Sequence, residues 1–169
     1  MPEFGPDGRI YPGTCRHRSL SQARPGDALR LDMRKAVKAL QKPVTYEEFG
    51  EQHSKRITLK AEALIAQVGD VVLRRKDQGA AYHLAVVIDD DAQNITDVVR
   101  GADLNAATQI HVVLQQLLNI PTPRYHHHSL IRDETGKRLA KRSDSEALSS
   151  LRKAGHSAQD ITERLFSAP

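Results

Sequence analysis

Tryptophan is absent, and aromatic side chains make up only 4% of the 169 residues, which argues against a large aromatic recognition face. The single cysteine, Cys15, excludes an internal disulfide and suits a reducing compartment. Long apolar runs are missing as well. The longest is Leu84–Ile88, far short of the ~20 residues that span a bilayer. The opening MPEFGPDGRIYPG has neither the basic start nor the apolar run of a secretory signal. These absences lead us to expect a soluble cytoplasmic protein with no membrane partner.

What is present is an ordinary globular composition, 39% hydrophobic and 27% charged, of a size for one domain or a core with an appendage. A net charge of +4 is compatible with a polyanionic partner but does not single one out.

Met1–Pro12 is rich in Gly, Pro and Asp and reads as a loop. Ala28–Met33 alternates apolar and polar residues, a short half-buried strand; Met33–Leu40 suits one or two helical turns, ended by Pro43. Thr45–Lys60 is charged and mixed and reads as a surface insertion, before Ala61–Gln67 and a strand over Asp70–Arg75. The densest apolar stretch is Val71–Gly101, punctuated by Asp77, Tyr82, His83, Asp89, Asp90 and Arg100. Within it Tyr82–Asp89 is ambiguous: its β-branched centre suggests a strand, while Tyr82, Ala85, Val86 and Asp89 share a helical face. Ile95–Arg100 reads as a strand and Ala102–Leu118 as a helix stopped by Pro121. Arg124–Ile131 is extended, and Asp133 to Gly136 supplies a turn. Two helices close the chain. Ser143 and Glu146 have capping-box spacing for one that ends at Gly155; Ser157 and Asp160 can cap a second holding Ile161, Leu165 and Phe166.

Two clusters invite chemistry. GKRLAKR, from Gly136 to Arg142, places four cations after a turn, suited to a polyphosphate or else simply a solvated basic loop. His126, His127 and His128 suggest a metal, but successive side chains of an extended segment point to opposite faces and cannot all converge on one ion.

RRKDQGAAYHLAVVIDDDAQNITDVVRGADL, a helix, and then PTPRYHHHSLIRDETGKRLAKR resemble the second half of a glutamyl-tRNA synthetase-type catalytic domain. The likeness is strongest to the short branch of that family, the glutamyl-Q tRNA(Asp) synthetases, and covers roughly Tyr11–Pro169. It implies an α/β fold, a partial Rossmann-like class I aminoacyl-tRNA synthetase catalytic domain with C-terminal helices. Residues 1–26 would be the remnant of a zinc-binding insertion, 27–142 the second half of the catalytic domain with its nucleotide-binding loop, and 143–169 a helical extension.

The resemblance also implies roles. Tyr82 and Arg100 would bind glutamate, a guanidinium being able to grip a carboxylate through two parallel bonds; burying Arg100 unpartnered would be costly. It makes the Tyr82 segment a helix and Ile95–Arg100 a parallel strand. The family's Lys-Leu-Ser-Lys loop is matched by Arg138, Leu139, Ala140 and Lys141. Lys141 would be the catalytic contact to the ATP phosphates, with Arg138 and Arg142 adding charge and Ala140 lacking the serine hydroxyl. Asp103 would lie near the nucleotide or cap a helix. The histidine block would pack beside the active site. Tyr11 and Cys15 match the end of the zinc-binding insertion; a closed structural site needs four ligands, and the upstream cysteine pair is absent, so no complete zinc site is expected here.

By resemblance, the intact enzyme uses ATP with Mg²⁺ to convert L-glutamate to glutamyl-adenylate and transfers glutamate to the queuosine base of tRNA(Asp). The family's His-x-Gly-His signature and its N-terminal half have no counterpart in this sequence. We therefore expect the C-terminal portion of such an enzyme, inactive by itself. The alternatives are a fragment of an ordinary glutamyl-tRNA synthetase and a non-catalytic nucleotide- or RNA-binding module.

Overall fold

The computed structural model describes residues 3–50, 54–76, 79–132, 136 and 147–167. They form two compact units, Met1–His128 and Ser129–Pro169.

In the first unit, Phe4–Gly5 (β1) and Gly8–Arg9 (β2) make a small antiparallel hairpin. Gly5 lies so close to the backbone of Gln67 that a Cβ would come within 2.4 Å of its carbonyl oxygen. Leu29–Leu31 (β3) is shorter than its alternation predicts. The reason is Asp32, whose carboxylate accepts from the Lys35 N–H at 3.1 Å and so starts the helix Met33–Ala39 (α1).

The segment read as a surface insertion is instead a hairpin, Val44–Phe49 (β4) and Ser54–Leu59 (β5). Val44 and Tyr46 are buried, with the more exposed Thr45 between them and Glu47 after them. Among the charges that suggested an insertion, Glu47 is exposed on the outward face, Lys55 and Arg56 are exposed on the edge strand β5, and Glu48 shares the inner face of Val44 and Tyr46. A short helix, Ala61–Ala63 (α2), widens into a π-turn over Leu64–Val68 and stops at Gly69, whose φ is +70°. Val71–Arg75 (β6) is the middle strand between β3 and Gly79–Ala80 (β7).

Tyr82–Ala92 (α3) is a helix, so the ambiguous segment resolves as the resemblance implied. Packing decides it: His83 and Val87, four apart, are both buried. Then come Asp97–Gly101 (β8), a 3₁₀ turn at Ala102–Leu104, Asn105–Leu118 (α4) and Arg124–His128 (β9). β8 and β9 pair in parallel, so this is a βαβ unit. Asn119, left-handed at φ +55°, ends α4 before Pro121. The larger sheet runs β5-β4-β9-β8, with β4, β9 and β8 mutually parallel. Helix α4 packs on α1, α3 and β4 and is buried continuously from Ala107 to Gln115, except for half-buried Gln109.

The second unit contains Leu148–Lys153 (α5) and Ala158–Ser167 (α6). Gly155, at φ +92°, follows α5 as expected. Ser157 and Asp160 form the expected reciprocal cap: the Ser157 N–H donates to the Asp160 carboxylate at 2.7 Å and the Asp160 N–H to Ser157 Oγ at 3.1 Å. The other capping pair, Ser143 and Glu146, and the turn residues Asp133 to Thr135 lie outside the described residues.

Candidate active site

Three parallel strands each carry a polar side chain one residue before their C-terminal end: Glu48 on β4, Arg100 on β8 and His127 on β9. In open α/β sheets that end is where ligands bind. Register brings these groups together, since Arg100 is the partner of His127 and Glu48 that of Tyr125. His127 Nδ1 lies 2.8 Å from Glu48 Oε1, and the His127 backbone N–H also donates to that carboxylate.

Helix α4 contributes from the other side. Thr108, His111 and Gln115 follow one another at spacings of three and four, on a single face. All three are buried. Arg100 donates from Nη2 to Thr108 Oγ1 at 2.6 Å, from Nη1 to His111 Nδ1 at 3.2 Å and from Nε to His127 Nε2 at 3.1 Å. Its guanidinium carbon also stands 5.2 Å from the centroid of the buried Tyr125 ring. The partly buried Arg100 thus has partners from within the fold, and its partial burial alone does not demand a ligand carboxylate.

An arginine can only donate, which fixes the imidazole tautomers. His111 accepts at Nδ1, so its proton is on Nε2, 3.0 Å from His83 Nδ1. His83 accepts there and turns its own N–H, at Nε2, to Asp7 Oδ1 at 3.4 Å. His127 accepts at Nε2 and donates from Nδ1 to Glu48. A directional chain results, running outward from one guanidinium through neutral imidazoles to two carboxylates. Burial, the Arg100 charge and His83 push His111 down to about 3, so it is uncharged near neutrality. Burial opposes ionisation of Asp7, but bonds from His83 and the Val72 N–H outweigh it and hold that carboxyl below its usual range. Asp90 on α3 is raised by burial, against the opposing Arg100 charge.

Tyr82 is 49% exposed, with its ring edge-on to His83 and His111 at 5.4 and 6.0 Å. It lines a cleft of about 530 Å³ together with Asp103, Gln109, Phe4 and Gln67. Tyr82 and Asp103 therefore share a cleft. Arg100 is not among its lining residues and meets Tyr82 through His111, which touches both. Asp103 sits in the 3₁₀ turn that leads into α4.

Tyr11 and Cys15 are in mutual contact, the Cys15 N–H donating to Tyr11 Oη at 2.5 Å. Their surroundings carry both signs of charge: Arg30 covers the Tyr11 ring, and the same bay of about 300 Å³ is lined by Arg16 and Arg18 and by the acids they pair with, Asp70 and Asp27. Two donors fall short of the four that a structural zinc site takes, and among the described residues no group of three or more His, Cys, Asp or Glu could hold a metal. His126 lies opposite His127, 2.6 Å from the Phe49 carbonyl oxygen, so the histidine block divides between two faces. Lys141, Arg138, Leu139, Ala140 and Arg142, the expected ATP-binding loop, lie outside the described residues.

Local sequence pattern did not single out Asp7, Glu48, Thr108 or His111, and marked His83 only as a polar interruption of an apolar stretch. The signal for Thr108 and His111 was their spacing with Gln115 inside an apolar helix. Asp7 and Glu48 lay in stretches read as loop and insertion and gave none.

Comparison with known proteins now bears on this geometry. The family model for the catalytic domain of class I tRNA synthetases (E and Q) matches residues 28–166. A glutamyl-Q tRNA(Asp) synthetase of Rhodobacter capsulatus is 51% identical over 161 residues, 94% of this chain and 56% of that protein. One from Albidiferax ferrireducens is 38% identical over 151 residues, 82% of this chain and 48% of that protein. The chain thus spans about half the length of these curated relatives. A glutamate tRNA ligase structure from Elizabethkingia meningosepticum covers 79% of this chain and 21% of its own, at 23% identity and a TM-score of 0.43, too slight a likeness to argue from. The match to the family model extends over most of the chain and includes both the βαβ unit and the residues clustered around Arg100. The chain belongs to the class I glutamyl- and glutaminyl-tRNA synthetase family, as part of its catalytic domain.

Proposed function

We propose that this chain supplies the glutamate-binding and ATP-phosphate-binding residues of a glutamyl-Q tRNA(Asp) synthetase. The observation that carries the reading is Arg100 at the C-terminal end of a parallel strand, held by His111, His127 and Thr108. Those bonds use one hydrogen from each guanidinium nitrogen, and a guanidinium has five. The second hydrogens of Nη1 and Nη2 form the fork that a glutamate carboxylate takes. Tyr82, on the adjoining cleft, contributes its hydroxyl and ring to the same amino acid. The similarity to proteins named for that activity supports the substrate choice.

In the reaction proposed, a carboxylate oxygen of L-glutamate attacks the α-phosphorus of ATP. The bond to the β-phosphate breaks and pyrophosphate leaves, giving glutamyl-adenylate. Charge gathers on the leaving group, and this is where Lys141, with Arg138 and Arg142, would act. Mg²⁺, bound with ATP, would neutralise phosphate charge. A hydroxyl of the queuosine base in tRNA(Asp) then attacks the activated carboxyl and releases AMP. Arg100 and Tyr82 bind and orient the glutamate through both steps; no step is assigned to zinc, which Tyr11 and Cys15 do not fit.

The test is glutamate-dependent ATP–pyrophosphate exchange, measured on this chain alone and on a chimera in which it replaces the matching segment of the Rhodobacter capsulatus relative. Exchange in the chimera that requires L-glutamate is the expected result. A folded chimera without exchange overturns the reading in favour of a non-catalytic nucleotide- or RNA-binding module.

A further inference from the structure

We infer that His111 and His127 are positioning residues: each presents an imidazole lone pair to Arg100, and together they aim its guanidinium for carboxylate binding. The inference rests on the proposed role of Arg100 and extends it to groups that need not touch the substrate.

The geometry is specific about which atom does what. A free arginine side chain rotates about several bonds, and holding a bidentate fork in one orientation requires fixing the plane of the guanidinium. Here His127 Nε2 takes the Nε hydrogen at 3.1 Å and His111 Nδ1 takes a hydrogen of Nη1 at 3.2 Å. Two acceptors at different guanidinium nitrogens define its plane, and Thr108 supplies a third at 2.6 Å. Both imidazoles are anchored behind the contact: His111 through His83 to Asp7, His127 directly to Glu48. These anchors hold the rings in the tautomers that leave a lone pair for Arg100.

Neutral acceptors also leave the site with the right charge. A carboxylate bound directly to Arg100 would neutralise the guanidinium and compete with the substrate. Here the acids that anchor the two imidazoles, Glu48 and Asp7, stand one and two imidazoles away from Arg100, while Asp90 on α3 lies near enough to feel its charge. Arg100 is thereby held by histidine and threonine acceptors rather than by a hydrogen-bonded carboxylate, and its charge stays available to an incoming anion.

Acceptor-keeping and acceptor-removing variants separate this role from mere packing. His127→Gln places an amide oxygen near the Nε2 position and His111→Asn places one near the Nδ1 position; His127→Leu and His111→Leu remove the acceptor and retain an apolar side chain. In the full chain, the Arg100 Nε–H resonance should exchange slowly with water and the His111 and His127 nitrogens should show single neutral tautomers. The Leu variants should collapse the Arg100 protection, and the Gln and Asn variants should keep most of it. In the chimera, the Leu variants should raise the KM for L-glutamate by roughly tenfold or more, the scale of a lost bond to a charged group. The KM for ATP should stay constant, and the amide variants should recover most of the loss. Protection and KM that are the same in the Leu variants as in the parent overturn the inference, as does a loss of both in the amide variants with their fold intact. Failure of the glutamate reading looks different: the parent chimera shows no glutamate dependence, while the resonance measurements still decide whether the histidines hold Arg100.

Discussion

His111 Nδ1 accepts a hydrogen bond from Arg100 at 3.2 Å, so a buried histidine and a partly buried arginine share a contact that only a neutral imidazole can make. The groups facing His111 are His83 and Tyr82 from α3 and Arg100 from β8. None of them stabilises a second positive charge there.

Stability should therefore fall as the pH is lowered. The folded pKa of His111, about 3, lies below the ordinary value of 6.5. Between those values the unfolded chain binds a proton that the folded chain does not, so unfolding is favoured as pH falls through 6.5. The slope from one proton is at most about 1.4 kcal/mol per pH unit. Urea unfolding across this range should show a shallower pH dependence in His111→Asn than in the parent, and equal slopes would contradict the assignment.

Tyr82 offers a separation of binding from stability. Its side chain is half exposed and its ring meets His83 and His111 only edge-on. Tyr82→Ala should change unfolding free energy by no more than about 1 kcal/mol, yet weaken use of L-glutamate in the chimera several-fold. Tyr82→Phe separates the hydroxyl from the ring: a loss equal to that of the alanine variant assigns the effect to the hydroxyl.

Asp70 anchors the fold away from the Tyr82 cleft. Its buried carboxylate accepts from Arg16 Nε at 3.0 Å, pairs with Arg16 Nη2 at 2.8 Å and takes the Met33 N–H at 3.1 Å. Asp70→Ala leaves both donors unpaired. The cost should be about 2–3 kcal/mol, below that of a fully buried pair because Arg16 keeps some contact with water. Asp70→Asn, which can still accept from Met33, should cost less. Denaturant midpoints at constant m-value measure both.

Local pattern carried some of this fold. The helix α4, the cap at Ser157 and Asp160 and the strand before Asp32 follow from residues within a few positions of one another. Tyr82–Ala92 did not, because its β-branched centre fits two periods and burial of His83 and Val87 decides between them. Thr45–Lys60 was misread since the charges of β4 and β5 conceal the alternation of Val44 and Tyr46 at an inner strand. The site divides in the same way. Arg100 and Tyr82 were reached through family resemblance, whereas the groups that hold Arg100 come from distant chain: Glu48 meets His127 across 79 positions and His83 meets His111 across 28. No local pattern announces such a pairing. The stripe of Thr108, His111 and Gln115 was the one legible trace, because a buried helix face rarely carries three polar residues without partners for them.

The most direct measurement is glutamate-dependent pyrophosphate exchange in the chimera with Arg100 replaced by alanine. If Arg100 grips the glutamate carboxylate, R100A should lower kcat/KM for L-glutamate by about a hundredfold, the upper part of the range for a bond to a charged group, and leave the KM for ATP unchanged. Exchange at the parent level in a folded R100A chimera would contradict the account.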